Sequence, residues 1–116
     1  MQGQRPQTTG FSDRLICRSE NRSLLILVKD IVFIEAARNY AVSQVMSETQ
    51  IRRRTLESME RSLDPQRFVR IRRSVIVNRD FIKAVEVVSH GDYRIELTTG
   101  HHLTWSHKYH GHAGLV

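Results

Sequence analysis

Phe68-Val69-Arg70-Ile71-Arg72-Arg73-Ser74-Val75-Ile76-Val77-Asn78 is the stretch whose reading decides the fold. Its apolar positions are core material, and the β-branched ones among them favour strand. Between them stand Arg70, Arg72 and Arg73, then Ser74, with Asn78 closing the run. A strand scaffold thus carries a short cationic tip rich in hydrogen-bond donors. Guanidinium is always charged, and its planar fork suits phosphate oxygens and guanine edges. Taken alone, an Arg-Arg pair reads as a solvated basic turn. The rest of the chain argues for more.

Around this stretch the charge is uneven. The formal net charge is +6, and Ile51 to Lys83 alone holds ten Lys or Arg against four Asp or Glu. The remaining residues carry eight of each sign, so the whole excess lies in one block. Such a block is the electrostatic footprint of a polyanion partner. An anionic membrane or simple solubility is the alternative for a basic surface.

Working outward, short apolar runs alternate with turn residues. Strands are expected at Leu15 to Arg18, Ser23 to Val28, Ile31 to Glu35, Tyr40 to Met46 and Gln50 to Arg54. Alternation puts Ile31, Phe33 and Glu35 on one face and Val32 and Ile34 on the other, with both faces covered. A helix starts at Thr55 as N-cap, with Leu56, Met59 and Leu63 on its inner face, and stops at Asp64-Pro65. Beyond the central stretch come Ile82 to Val88, Tyr93 to Leu97 and His102 to Trp105, joined by turns at His90-Gly91-Asp92 and Thr99-Gly100. Ser106 is placed to cap a last helical turn. The sum is seven to nine short strands and one real helix: a mostly β fold of small antiparallel sheets.

The 116 residues make one small domain. Residues 1–12, polar at the start, read as a disordered lead-in or linker end, and 13–116 as the folded part. One cysteine, Cys17, excludes an internal disulfide framework and reads as a small core residue. No signal peptide or membrane-spanning stretch stands out, so a cytoplasmic protein is the expectation.

Enzyme chemistry finds no footing. There is no phosphate-binding glycine loop, no Gly-x-Ser-x-Gly elbow and no Cys/His pair at catalytic spacing. Glu35, set among apolar neighbours, reads as a strand-end carboxylate bonded to backbone or arginine. No cofactor and no small-molecule substrate are expected. Five of the six histidines lie between His101 and His112. His107, His110 and His112 could capture a metal adventitiously or make the chain a metal-responsive interaction module, but exposed polar residues that charge as pH falls are the preferred reading. Tyr40 and Trp105 could stack bases in a single-strand or RNA binder, which would need both exposed. Arg52 to Arg54, running into the helix start, offer a phosphate seat or a solubilising edge.

Three blocks in order then match a known pattern. They are Ile31-Val-Phe-Ile-Glu-Ala-Ala-Arg-Asn-Tyr40 with Thr55-Leu-x-x-Met59, the opening stretch Phe68 to Asn78 with Ile82, and Trp105-Ser-His-Lys-Tyr109. Together, over Leu15 to Tyr109, they resemble the LytTR-type DNA-binding domain of bacterial transcription regulators, the LytR/AlgR family. The resemblance implies a β-rich fold with a short helix or two. It also implies binding to double-stranded promoter DNA, by loops set into successive major grooves that bend the duplex. The loop of Arg38, Asn39 and Tyr40 resembles the first reading element. Arg72, Arg73 and Ser74 resemble the second, and Ser106, His107 and Lys108 the third. Arg52, Arg54 and Arg70 are the further expected DNA contacts, and Asn78 is expected to fix a turn. Two positions depart from the pattern: Arg72 stands where the family has histidine, and His107 where it has arginine. Base preference there is left open. The resemblance also implies a two-component response regulator, with a receiver or sensor domain preceding this one. None is present in this sequence, so a fragment or a stand-alone regulator is expected. Self-association or two copies on direct repeats would complete the assembly.

Overall fold

The computed structural model describes residues 11, 13–18, 21–46 and 48–112. Most of the expected lead-in, and the side chains of Cys17, His110 and His112, lie outside the described part. Ten strands are present among the described residues, one more than the upper expectation. They are β1 (Arg14–Arg18), β2 (Ser23–Leu27), β3 (Ile31–Ala37), β4 (Tyr40–Val45) and β5 (Glu48–Arg52), then β6 (Phe68–Arg72), β7 (Val75–Asn78), β8 (Ile82–Val87), β9 (Tyr93–Leu97) and β10 (His102–Trp105). The helix α1 (Leu56–Ser62) lies between β5 and β6. The opening stretch supplies two strands because Arg73 and Ser74 turn the chain.

Every pairing is antiparallel. A five-stranded sheet in the order β5-β4-β3-β7-β6 is the middle layer. On one face lie α1 and the β1–β2 hairpin, sharing a core in which Met59, Leu63, Ile31, Ile34 and Ile76 are buried. On the other lies the β10-β9-β8 sheet, whose Ile95, Leu97 and Trp105 meet Val32, Phe33, Val69, Ile71 and Val77. Burying each large apolar side chain contributes about 1.5–3 kcal/mol, so both faces stabilise the sheet.

β3 is covered on both faces, as its composition implies: Ile31, Val32, Phe33 and Ile34 are all buried. The expected alternation fails inside it. Ile31 pairs with Val45 and Phe33 with the adjacent Gln44, so Val32 is an extra residue, a β-bulge. The bulge flips the parity, and Val32 and Phe33 enter one core while Ile31 and Ile34 enter the other.

The helix begins where its cap predicts, with the Thr55 hydroxyl accepting from the Ser58 N–H at 3.1 Å. β5 ends at Arg52 rather than at Arg54. Arg54 leaves the strand because its guanidinium is drawn along α1, where Nε donates to Ser58 Oγ at 2.6 Å and Nη2 to the Ser58 carbonyl at 2.8 Å. Asn78, fully buried, closes the far end of the sheet. Its amide donates to the Ile31 carbonyl at 2.9 Å and its oxygen accepts from the Asp80 N–H at 3.0 Å.

Candidate nucleic-acid interface

Three turns carry the residues singled out in the sequence. Ala37 faces Tyr40 at the tip of the β3–β4 hairpin, leaving Arg38 and Asn39 as the turn. Arg38 has φ 59°, the left-handed region, which costs a side chain of L configuration about 1–2 kcal/mol. Arg38, Asn39 and Tyr40 are all exposed. The second turn is Arg73-Ser74, with Arg72 and Arg73 exposed. The third follows β10, where His107 and Lys108 are exposed and Ser106 is half-buried.

Two backbone hydrogen bonds bring these turns to the same end of the middle sheet. The Ser74 carbonyl accepts from the Ala36 N–H at 2.9 Å, joining the second turn to the first hairpin. The other bond depends on a bulge. In β6, Arg70 pairs with Ile76 and Arg72 with Val75, so Ile71 has no partner across the ladder. A bulged residue leaves backbone groups free for other use. The Ile71 carbonyl accepts from the Ser106 N–H at 2.9 Å, docking the third turn onto the second. Behind it Trp105 is fully buried, with its indole N–H 3.3 Å from the Tyr109 carbonyl and its ring edge-on to Tyr93. Arg52, opposite Ala41 at the end of β5, lies at the same end of the sheet.

The arginines divide into two kinds. Arg72, Arg73 and Arg38 project from the turns, exposed. Arg70 is committed inside the chain: Nη1 meets Glu60 at 2.9 Å, and Nε donates to the Arg72 carbonyl at 3.0 Å and the Arg73 carbonyl at 3.2 Å. Its Nη2 also donates to the Arg73 carbonyl. Arg54 is committed to α1 in the same way, and Nη2 also reaches Ser62 Oγ at 3.4 Å. Burial, followed by the charges of Arg52 and Arg61, pulls the Arg54 guanidinium below its ordinary pKa. Arg52 is half-buried, and its Nη1 has no hydrogen-bond partner among the described residues.

Two acidic partners had no signal in the sequence. Glu60 orients Arg70 from the helix. Asp92, on the β8–β9 connection, accepts from the His107 backbone N–H at 2.9 Å and sits 3.0 Å from its Nδ1. Both pairs join residues remote in the chain, so no local pattern marks them. Ser106 does cap its turn, its hydroxyl oxygen accepting from the Lys108 N–H at 3.3 Å.

The burial of Trp105 removes it as a base-stacking platform, while Tyr40 is exposed. Among the described residues no three His, Cys, Asp or Glu side chains gather as a metal site. Glu35 is exposed at the end of β3.

A family model described as the LytTr DNA-binding domain matches residues 21–112. The chain belongs to this family. LytTr domains bind DNA and are not a catalytic family, so DNA binding by a regulator is the activity of this domain. Among solved structures, the LytTr DNA-binding domain of a methyl-accepting/DNA response regulator from Bacillus cereus is similar in fold. Its TM-score is 0.78 at 20% identity, covering 86% of this chain and 92% of that one. None of the curated proteins matches the chain. Among the described residues no helix is long and apolar enough to cross a membrane.

Proposed function

We propose that this LytTr domain reads sequence in duplex DNA, with its three turns entering successive major grooves and bending the duplex between them. Arg38, Asn39 and Tyr40 form the first reader, Arg72, Arg73 and Ser74 the second, and Ser106, His107 and Lys108 the third. The observation that supports this most is the pair of backbone bonds, Ala36 to Ser74 and Ser106 to Ile71, which hold three exposed polar turns at one sheet end. Readers on a rigid sheet end are fixed relative to one another. Reading several sites at once therefore favours a bent duplex over a straight one. Arg52 contacts backbone phosphate beside the first turn. Arg54 and Arg70, whose donors are engaged within the chain, serve as supports that shape the readers.

Two copies on direct repeats in a promoter, joined through a receiver or sensor domain or through each other, make the working assembly of a bacterial two-component regulator in the cytoplasm. The test is selection from a random duplex pool at about 150 mM salt, where non-specific phosphate binding is weakened. A short enriched motif, recurring at fixed spacing, is the expected result. Binding without enrichment that disappears as salt rises would reduce the domain to a polyanion binder.

A further inference from the structure

We propose that Asp92 fixes the tautomer of His107 and so decides which base edge the third turn can read. The inference rests on the reading of that turn as a DNA contact. One carboxylate oxygen, Asp92 Oδ1, lies 2.9 Å from the His107 backbone N–H and 3.0 Å from its ring Nδ1. An ionised carboxylate only accepts hydrogen bonds, so Nδ1 must carry the proton. Nε2 lies across the ring from that contact, and the His107 side chain is 55% exposed.

The consequence is a reader with two signs. Neutral His107 offers an Nε2 lone pair, which matches the amino group of adenine or cytosine in the major groove. Charged His107 offers an Nε2–H, which matches O6 or N7 of guanine. Arginine at the same place only donates. A histidine held this way is therefore a different reader from arginine, because its Nε2 can accept as well as donate. The titratable and charged groups on the described packed segments are Asp92 and His90 on the β8–β9 connection, Tyr93 at the start of β9, Lys108 and Tyr109 on the turn itself, and Arg70 and Arg72 on β6.

The experiment has two readouts on the 116-residue chain. Nitrogen-15 NMR of the free protein at about pH 8, above the imidazole range, should show His107 protonated at Nδ1 and bare at Nε2. The opposite tautomer would overturn the inference while leaving the DNA reading intact. Selection from random duplexes at about pH 8 and about pH 5.5 should then shift one base pair from adenine or cytosine toward guanine. The expected change is about fivefold, the worth of one hydrogen bond. Asp92→Ala removes the oxygen that accepts from Nδ1, so the ring proton can sit on either nitrogen and the preference at about pH 8 should be lost. An enriched motif unchanged by pH and by Asp92→Ala would overturn the inference. No enriched motif at either pH would bring down the reading on which it rests.

Discussion

The two ends of the five-stranded sheet treat polar groups in opposite ways. At the end where β3 begins and β7 finishes, Asn78 is fully buried and its amide is spent on the Ile31 carbonyl and the Asp80 N–H. The Met46 N–H there donates to the Asp30 carbonyl at 3.2 Å, so connections as well as strands are paired. At the opposite end Arg38, Arg72, Arg73 and Lys108 stand exposed, and the backbone at Arg38 is left-handed. Buried polar groups must be paired because an orphaned one costs about 1–3 kcal/mol. Exposed cations cost little and remain available to phosphate and bases. One end therefore holds the fold and the other presents it.

The sharpest way to break this comparison is Asn78→Asp. The carboxylate cannot donate to the Ile31 carbonyl and leaves a charge in the core, so a loss of about 3–5 kcal/mol is expected in chemical denaturation. Part of it should return as pH falls, because the protonated acid can donate again and burial favours the neutral form. Retention of wild-type stability would show that this end is not the structural one.

Arg73→Ala sharpens the other side. It should weaken binding by about 1–3 kcal/mol and relax preference at one base pair, as a bidentate reader does. Stability should change by no more than about 0.5 kcal/mol, the usual range for an exposed position. Equal weakening on all sequences, measured by competition, would make Arg73 a phosphate contact only.

The smallest effect is expected at Arg38. Arg38→Gly relieves the left-handed backbone but loosens the unfolded chain, so stability should move by less than about 1 kcal/mol in either direction. Binding should still weaken. A thermal-unfolding shift larger than that, with DNA affinity unchanged, would place Arg38 among the structural residues instead.

Much of the fold is legible residue by residue. Thr55 marks the helix start because its hydroxyl can take an otherwise free N–H. Gly100, with φ 94°, marks the β9–β10 turn because glycine enters that region without penalty. The bulge at Val32 was not legible, since a run of four apolar residues satisfies either parity. Arg54 reads as strand by alternation and goes instead to the helix, where Ser58 and Ser62 supply acceptors. Of the candidate site, the residue types and the three turns were visible. The division of arginines into exposed and committed ones was not, because it depends on Glu60 and on the Arg72 and Arg73 carbonyls, which the fold brings to Arg70.

By itself the sequence determined the short strands, the capped helix, the concentration of positive charge and the membership of a DNA-binding family. These depend on neighbours a few residues apart or on motifs carried within one segment. Only the tertiary structure decided that the three turns meet, that Ile71 docks Ser106, and that Asp92 holds His107. Those contacts join segments distant along the chain. The docking bonds form through backbone groups every residue possesses, and Asp92 meets His107 from a distant segment, so no local pattern marks either.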